Sequence, residues 1–580
     1  MVNFRRISSG QTTGVVDPIR LHMSTGYDLV VIGAGHVGVD AALDAAKGPY
    51  NKKVCLIDAP RASGVLMDEV NKRDLSIGAP TGLFSKALRD TSKTIKVSSL
   101  RGLGLREDSL WNEIMGTCVD LATSNAEAVE QQLSFAGVHY KEGFASFRRI
   151  GPDGSIDSVN VDGEEVYGKN FLIATGSKPF RPKGVPFDGA RVFDSDTINT
   201  LGFLPKSVAI TGSGIIAIEY AKIFKNLGCD VTVLIRSDQP RDALMKIGLD
   251  KDVASALIAD LVRSGINLAR GVEMARMDVP ANPSAPLAVT LVGAKDKQPR
   301  GTLTCDAYLA AVGRSPNTEK LNLAEAGIAL DEYGGVLVNS LMATSARGGN
   351  VYAAGDVVGR PFLAATGAAQ GNAAVRAMFA AERAAGAGTP FVSARRPESF
   401  LCDDALCVDP DLSRAGTAYD PVALAANPFA FPVGVWSSPE VAYYGLSAQQ
   451  AAELGIEADE ALALYSECTR GRVFSPEGLL KLVFERESER LLGVHICGQD
   501  ACELVHYGME LIKGRRTLVD VRTSVCSEVT YHQLYRLAAE AAEDPAGARR
   551  RRAAAGRDLA ARRRAGRRGR LGLPSLEQQQ

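Results

Sequence analysis

No stretch of about 18 apolar residues occurs in this chain, so no membrane-spanning helix is expected. None of its ten cysteines forms a CxxC pair; they are scattered from Cys55 to Cys526. That spacing excludes a disulfide-stapled secreted domain and offers no metal-ligand cluster. It fits small buried hydrophobes in a reducing compartment. Excess charge is missing too, the net value being −1. The balance is uneven, however. Residues 545–580 carry eleven arginines against Asp558 and Glu577, a local +9 that leaves −10 for the other 544 residues. Such a tail is expected to be disordered; nucleic-acid binding is not expected, the basic stretch 549–570 being the only hint of it.

What remains is an ordinary globular composition, 46% hydrophobic and 23% charged, over 580 residues. At roughly 150 residues per domain, three or four domains are expected. Residues 1–26 hold Arg5, Arg6 and Arg20 but the single acid Asp17. They read as a disordered extension or a targeting segment, so a cytoplasmic location is expected, with the mitochondrial matrix as the alternative.

Two stretches carry chemistry. In "YDLVVIGAGHVGVDAALDAAK" an apolar strand-like run meets Gly33, Gly35 and Gly38 and then an alanine-rich helical pattern. Glycines there permit a tight turn and close approach of backbone to a pyrophosphate, while the helix N-terminus supplies N–H donors. "KVCLID" ends a second strand at Asp58, where a carboxylate suits a ribose diol. The pattern recurs in "SVAITGSGIIAIEYAKIFKNLGCDVTVLIR", with Gly212, Gly214 and Ala217 in the three positions. Here the following strand ends at Arg236, and Arg241 comes soon after. Guanidinium groups suit a ribose 2′-phosphate, which they pair bidentately. Two bound dinucleotides are therefore expected.

The connecting pieces "LIATGSKPFRP", "YLAAVGRSPNT", "NVYAAGDVVGRPFLAATGAAQG" and "FPVGVWSSPEVAYYGLSAQQAAELG" resemble the flavoprotein pyridine nucleotide-disulfide oxidoreductases, in the family's order, from about Tyr27 to Glu543. The resemblance implies FAD in the first site and NADP(H) or NAD(H) in the second. It implies that Ala174, Thr175 and Gly176 form the hinge rejoining the FAD domain. Gly313 falls in a matching loop, and Gly355 precedes Asp356, the acid that matches the contact to the flavin's ribityl–phosphate chain.

Where the family has a loop with two cysteines, this chain reads "IGAPTGLFSKALRD". With "SKAL" aligned on Ser85–Leu88, the two cysteine places fall on Ile77 and Gly82, neither of which can form a thiolate. The family's C-terminal His-Pro and its glutamate fall on Glu528, Val529 and Gln533. Both halves of the thiol apparatus are absent together. Lys86 and Glu219 persist, and the resemblance implies that they pair beside flavin N5 as the catalytic residues.

The expected fold is α/β: two interlocked Rossmann-like dinucleotide-binding domains and a C-terminal α+β dimerisation domain. FAD takes 27–195 and 325–395, NAD(P) takes 196–324, 396–429 is an inserted loop, 430–543 is the dimerisation domain and 544–580 the basic tail. The expected protein is a homodimeric FAD-dependent NAD(P)H oxidoreductase similar to the soluble NAD(P)+ transhydrogenases, passing hydride without a disulfide relay. One alternative is a dihydrolipoamide dehydrogenase-like reductase with a relocated pair, Cys402/Cys407 or Cys497/Cys502. Another is a non-catalytic flavin-binding subunit.

Overall fold

The first strand, Tyr27–Ile32, is apolar on both faces because it is covered on both: Leu29, Val30 and Val31 are fully buried. It lies parallel between Val54–Asp58 and Glu164–Ile173, with Ile32 level with both Ile57 and Ile173. Their carboxyl ends therefore finish together at one edge. His139–Glu142 extends this sheet beyond Val54–Asp58, and Val351–Ala353 returns from far along the chain to pair with Glu164–Ile173. That return brings the segment just before Asp356 into the first sheet. An antiparallel meander, Ala145–Phe147 and Ser158–Val161, hangs from the amino half of Glu164–Ile173.

This is a computed structural model, and it describes residues 26–59, 82–94, 107–148, 155–339, 341–359, 361–379, 431–547 and 549–550. Ile77, the Cys402/Cys407 segment and nearly all of the basic tail lie outside them, as does the N-terminal segment up to residue 25.

The second sheet is wholly parallel, in the order Asn267–Arg270, Asp230–Ile235, Ser207–Thr211, Ala307–Ala310, Val192–Asp194. The chain thus enters this sheet before residue 196. A three-stranded antiparallel sheet, Val272–Asp278, Leu287–Gly293 and Pro299–Cys305, covers one face of it. In its central strand every second residue is buried, the signature of a sheet with one wet face. A short ribbon, Ser177–Pro179 against Arg314–Pro316, joins the two nucleotide-binding units.

The third unit is a five-stranded antiparallel sheet, in the order Val433–Val435, Glu440–Gly445, Leu491–Gly498, Leu479–Glu485, Ala458–Leu464. Helices Ala501–Lys513 and Gln533–Glu543 pack on it around Tyr465, Leu534 and Tyr535. Its other side shares one core with the second unit: Val435, Val441, Leu479 and Cys497 pack with Ile210, Ala217 and Leu257.

That seam holds a buried ion cage. Lys481, fully buried, lies 2.9 Å from Asp250, 2.6 Å from Asp252 and 2.8 Å from Glu460. Asp250 also caps the helix Lys251–Arg263, accepting from the Asp252 N–H at 2.8 Å. Burial alone would raise the Asp250 carboxyl, yet His495 and Lys481 hold it below its ordinary range. His495, wholly inside, is pushed down by burial, and its ring stacks on Tyr443. Tyr443 in turn donates to the Ile247 carbonyl at 3.2 Å, so the cage and this hydroxyl fix the second unit to the third.

Candidate active site

Two glycine turns lie at the carboxyl edges of the two parallel sheets and are the candidate nucleotide sites. In the first, Gly33 has φ +107°, and a Cβ there would stand 2.4 Å from the Ala174 carbonyl oxygen. A Cβ on Gly38 would stand 1.8 Å from the Gly33 carbonyl oxygen, so the helix His36–Ala46 packs on its strand only with glycine there. Gly35 differs: its φ of −70° suits any residue, and nothing lies within 4 Å of a Cβ built on it. The protein itself does not require glycine at Gly35; a ligand lying on the turn would. The second turn repeats this. Gly212 has φ +141° with a Cβ at 2.2 Å from the Ala311 carbonyl oxygen, Ala217 is fully buried, and Gly214 is open. Both turns therefore fit a dinucleotide pyrophosphate, with helix N-termini facing it.

Around the first turn the Asp58 carboxylate accepts from the Ala34 N–H at 3.0 Å, which sets it at the sheet edge beside the turn. Thr175 donates to the Asn317 carbonyl at 2.7 Å, and the Gly176 carbonyl accepts from the Asn317 N–H at 2.9 Å. Ala174, Thr175 and Gly176 are thus a junction where outgoing and returning chain meet. Gly313, at φ +118°, takes the Phe180 N–H at 3.0 Å across the same ribbon. Gly355 packs over Val37 and donates to the Gln370 side chain at 2.8 Å. Asp356 accepts from Ser177 at 2.6 Å, and Ser177 from Arg314 at 2.8 Å; Arg314 is paired with Asp196 at 2.6 Å. Burial pushes the Asp356 carboxyl up, against the pull of Ser177 and Arg314. Nothing in the local sequence around Asp356 foretold Ser177, Arg314 and Asp196.

At the second site Arg236 follows strand Asp230–Ile235 and is exposed. Arg241 sits in the first turn of helix Pro240–Met245, exposed, 3.7 Å from Asp242. Arg270 was not singled out from the sequence. It closes the neighbouring strand level with Ile235 and is also exposed, a third cation at this edge. The parallel register was the missing signal.

Lys86 Nζ lies 3.0 Å from Glu219 Oε2, although the two are 133 residues apart. Glu219 is 3% exposed, and its other oxygen accepts from the Trp436 N–H at 2.8 Å. Lys86 lies on helix Leu83–Thr94 and keeps 32% of its side chain exposed. Gly82 stands just ahead of that helix at φ +90°, and a Cβ on it would lie 3.4 Å from Lys86 Nζ. The residue in the second cysteine's place therefore does face the Lys86–Glu219 pair, and it has no side chain.

The C-terminal counterpart is equally intact in frame. Gln533 Nε2 donates to Glu528 Oε2 at 2.6 Å, so the two residues standing in the His and Glu places still touch, without an imidazole. His532 lies beside them, exposed, edge-on to Tyr507. Cys497 and Cys502 are both free and buried, in different cores, one facing the second unit and one the third. Burial raises both thiols, that of Cys497 to about 12. They are packing residues rather than a reactive pair.

Two doubly wound units, each with a glycine turn, together with a lysine held by a buried glutamate, fit a flavin- and nicotinamide-using oxidoreductase. The chain belongs to the pyridine nucleotide-disulphide oxidoreductase family, whose pattern matches residues 27–371; the family's dimerisation domain matches 431–538. It is an FAD-dependent pyridine nucleotide oxidoreductase. It is 29% identical to the soluble pyridine nucleotide transhydrogenase of Colwellia psychrerythraea over 90% of this chain and 98% of that one. It is 28% identical to that of Mycobacterium bovis over 88% and 96%. Among solved structures it shares its fold with LpdA of Mycobacterium tuberculosis, at TM-score 0.68 and 22% identity over 88% of this chain and 99% of that one. An HOCl-induced flavoprotein disulfide reductase of Escherichia coli matches at TM-score 0.67 and 20% identity, over 89% and 99%. Among the described residues no helix is long and apolar enough to cross a membrane.

Proposed function

We propose that this chain is a homodimeric transhydrogenase-type flavoprotein, in which FAD takes hydride from NADPH and yields it to NAD+ with no disulfide relay. The carrying observation is Gly82. It occupies the place of a redox cysteine beside Lys86 and presents no sulfur. The relatives named as soluble transhydrogenases support the reading over about nine-tenths of the chain.

The chain's own residues divide the work. Gly33, Gly35 and Gly38 open the first turn to a pyrophosphate, and Asp58 would take the adenosine ribose. Asp356 would meet the polar tail of the flavin, held in place by Ser177. Gly212, Gly214 and Ala217 would receive the nicotinamide dinucleotide, with Arg236 and Arg241 on its 2′-phosphate. Lys86, anchored by Glu219, would set a fixed cation where negative charge gathers during hydride transfer. A charge already in place costs no reorganisation at that moment.

The test is a count of electrons. Anaerobic dithionite is expected to bleach the flavin at one two-electron equivalent, with no long-wavelength thiolate–flavin band. Reduction by NADPH and reoxidation by NAD+ should survive thiol alkylation. A second equivalent, taken up before bleaching and lost in Cys402→Ser, would return the enzyme to the disulfide reductases.

The arginines make a separate expectation. Arg236→Ala should weaken NADPH roughly ten- to hundredfold, from loss of about 1.5–3 kcal/mol of charge-assisted hydrogen bonding, and spare NADH. Equal weakening of both nucleotides, in single-turnover reduction, would remove Arg236 from the 2′-phosphate site.

A further inference from the structure

We propose that Arg89 is a positioning residue for the Lys86–Glu219 pair, acting through Trp436 and Glu440. The inference rests on the reading of that pair as the one that serves the flavin. Glu219 is a buried carboxylate with two partners from two other parts of the chain: Lys86 from helix Leu83–Thr94, and the Trp436 N–H from the turn between strands Val433–Val435 and Glu440–Gly445. Its orientation is therefore only as fixed as that turn. Arg89 fixes the turn. Its guanidinium lies 4.7 Å from the centre of the Trp436 ring, and Nη1 lies 3.3 Å from Glu440 Oε1. Both ends of the turn are thus gripped by one side chain, itself 5% exposed.

A buried guanidinium needs compensation. Asp90, three-fifths exposed, sits 2.6 Å away, but an exposed partner is screened. Glu440, 12% exposed, is the partner that counts. It is held in turn by the Cys502 N–H at 3.2 Å, in the first turn of helix Ala501–Lys513. Arg89 also stands three residues after Lys86 on the same helix face. The contacts close into a circuit: Lys86 to Glu219, Glu219 to the Trp436 backbone, the Trp436 ring to Arg89, and Arg89 through one helical turn back to Lys86. Three parts of the fold meet in it. Breaking it at Arg89 frees the turn, then Glu219, then the Lys86 ammonium, without touching any nucleotide-binding residue.

The experiment uses the holoenzyme and four variants: Arg89→Gln, Arg89→Lys, Lys86→Met and the double Arg89→Gln/Lys86→Met. Arg89→Gln is expected to slow anaerobic bleaching by NADPH roughly ten- to hundredfold, the scale of a small misplacement of a catalytic group. FAD content and the half-saturating NADPH concentration should stay near parental values. Arg89→Lys should fall between, because it still pairs with Glu440. The double variant should be no slower than Lys86→Met alone, since a residue acting through Lys86 has nothing left to position. Acrylamide quenching supplies a readout apart from turnover: Trp111 is 2% exposed, so quenching reports Trp436, and it should rise in Arg89→Gln. If Arg89→Gln does not fold, Glu440→Gln opens the same circuit and carries the same expectations. A parental rate in Arg89→Gln, or losses that multiply in the double variant, would overturn the positioning role and leave the Lys86 reading standing. A Lys86→Met enzyme that bleaches at the parental rate would overturn both.

Discussion

Gly35→Val is expected to purify colourless, folded and without FAD. The argument lies in the contrast within one turn. Gly33 and Gly38 are closed in by the protein's own backbone, at 2.4 and 1.8 Å from a Cβ, so replacing either strains the fold itself. Gly35 is in an extended conformation, with φ −70° and ψ −176°, and has open space where its Cβ would go. Valine there meets nothing until a pyrophosphate arrives, and then it occupies the path of approach. The ratio of flavin to protein absorbance should fall to background, while the melting temperature matches that of the parental apoprotein. Gly38→Val should instead lose stability even without flavin. A yellow Gly35→Val protein with full FAD content would remove the first turn from the cofactor site.

Lys481→Met is expected to cost about 3–5 kcal/mol of stability, read as a lower urea midpoint. Lys481 is fully buried, and so is Asp250. Removing the cation leaves Asp250 in the interior with its main opposite charge gone. Neutralising the two more buried of its three acids as well, in Lys481→Met/Asp250→Asn/Glu460→Gln, should recover much of the loss, because the cost belongs to the uncompensated charge. A loss under about 1 kcal/mol in the single variant would mean that the cage does not hold the seam.

The cage also sets the pH limits. His495 is pushed below its ordinary 6.5 by burial, so its neutral form is favoured by the fold and stability falls as pH drops below that value. Asp250, held below its ordinary 3.8, adds stability above that value, lost as pH falls through its folded value. Burial would lower Lys481, yet its carboxylates raise it above 10.5, so its contribution holds below that pH and fades as pH rises through its folded value. Acid should therefore loosen the second unit from the third well before alkali does.

The sequence by itself determined the local machinery. Each glycine turn is a short run whose backbone demands are met within a few residues or by the adjoining strand, so Gly33, Gly38, Gly212 and Ala217 were legible from spacing alone. That Ile77 and Gly82 carry no thiol is likewise read directly from the sequence, since a missing atom needs no fold to be missing. Apart from the Lys86–Glu219 pair, which the family resemblance implied, tertiary structure decided which charged and polar groups meet. Lys86 and Glu219 are 133 residues apart, Glu219 and Trp436 are 217, and Asp250 and Lys481 are 231. In "LLKLVFE" Lys481 reads as a lone cation in a mostly apolar strand; only the packing of Lys251–Arg263 against the neighbouring strand Leu491–Gly498 and of this sheet on the second unit brings Asp250 to it. Arg270 became visible only through the parallel register that sets it level with Ile235. The same holds for Val192–Asp194, whose three residues carry no mark of which sheet they join. Backbone conformation is a local property, set by sterics within a turn. Charge pairing and strand neighbours are set by where distant segments come to rest, and the energy that selects them is spread over the cores that bring them there.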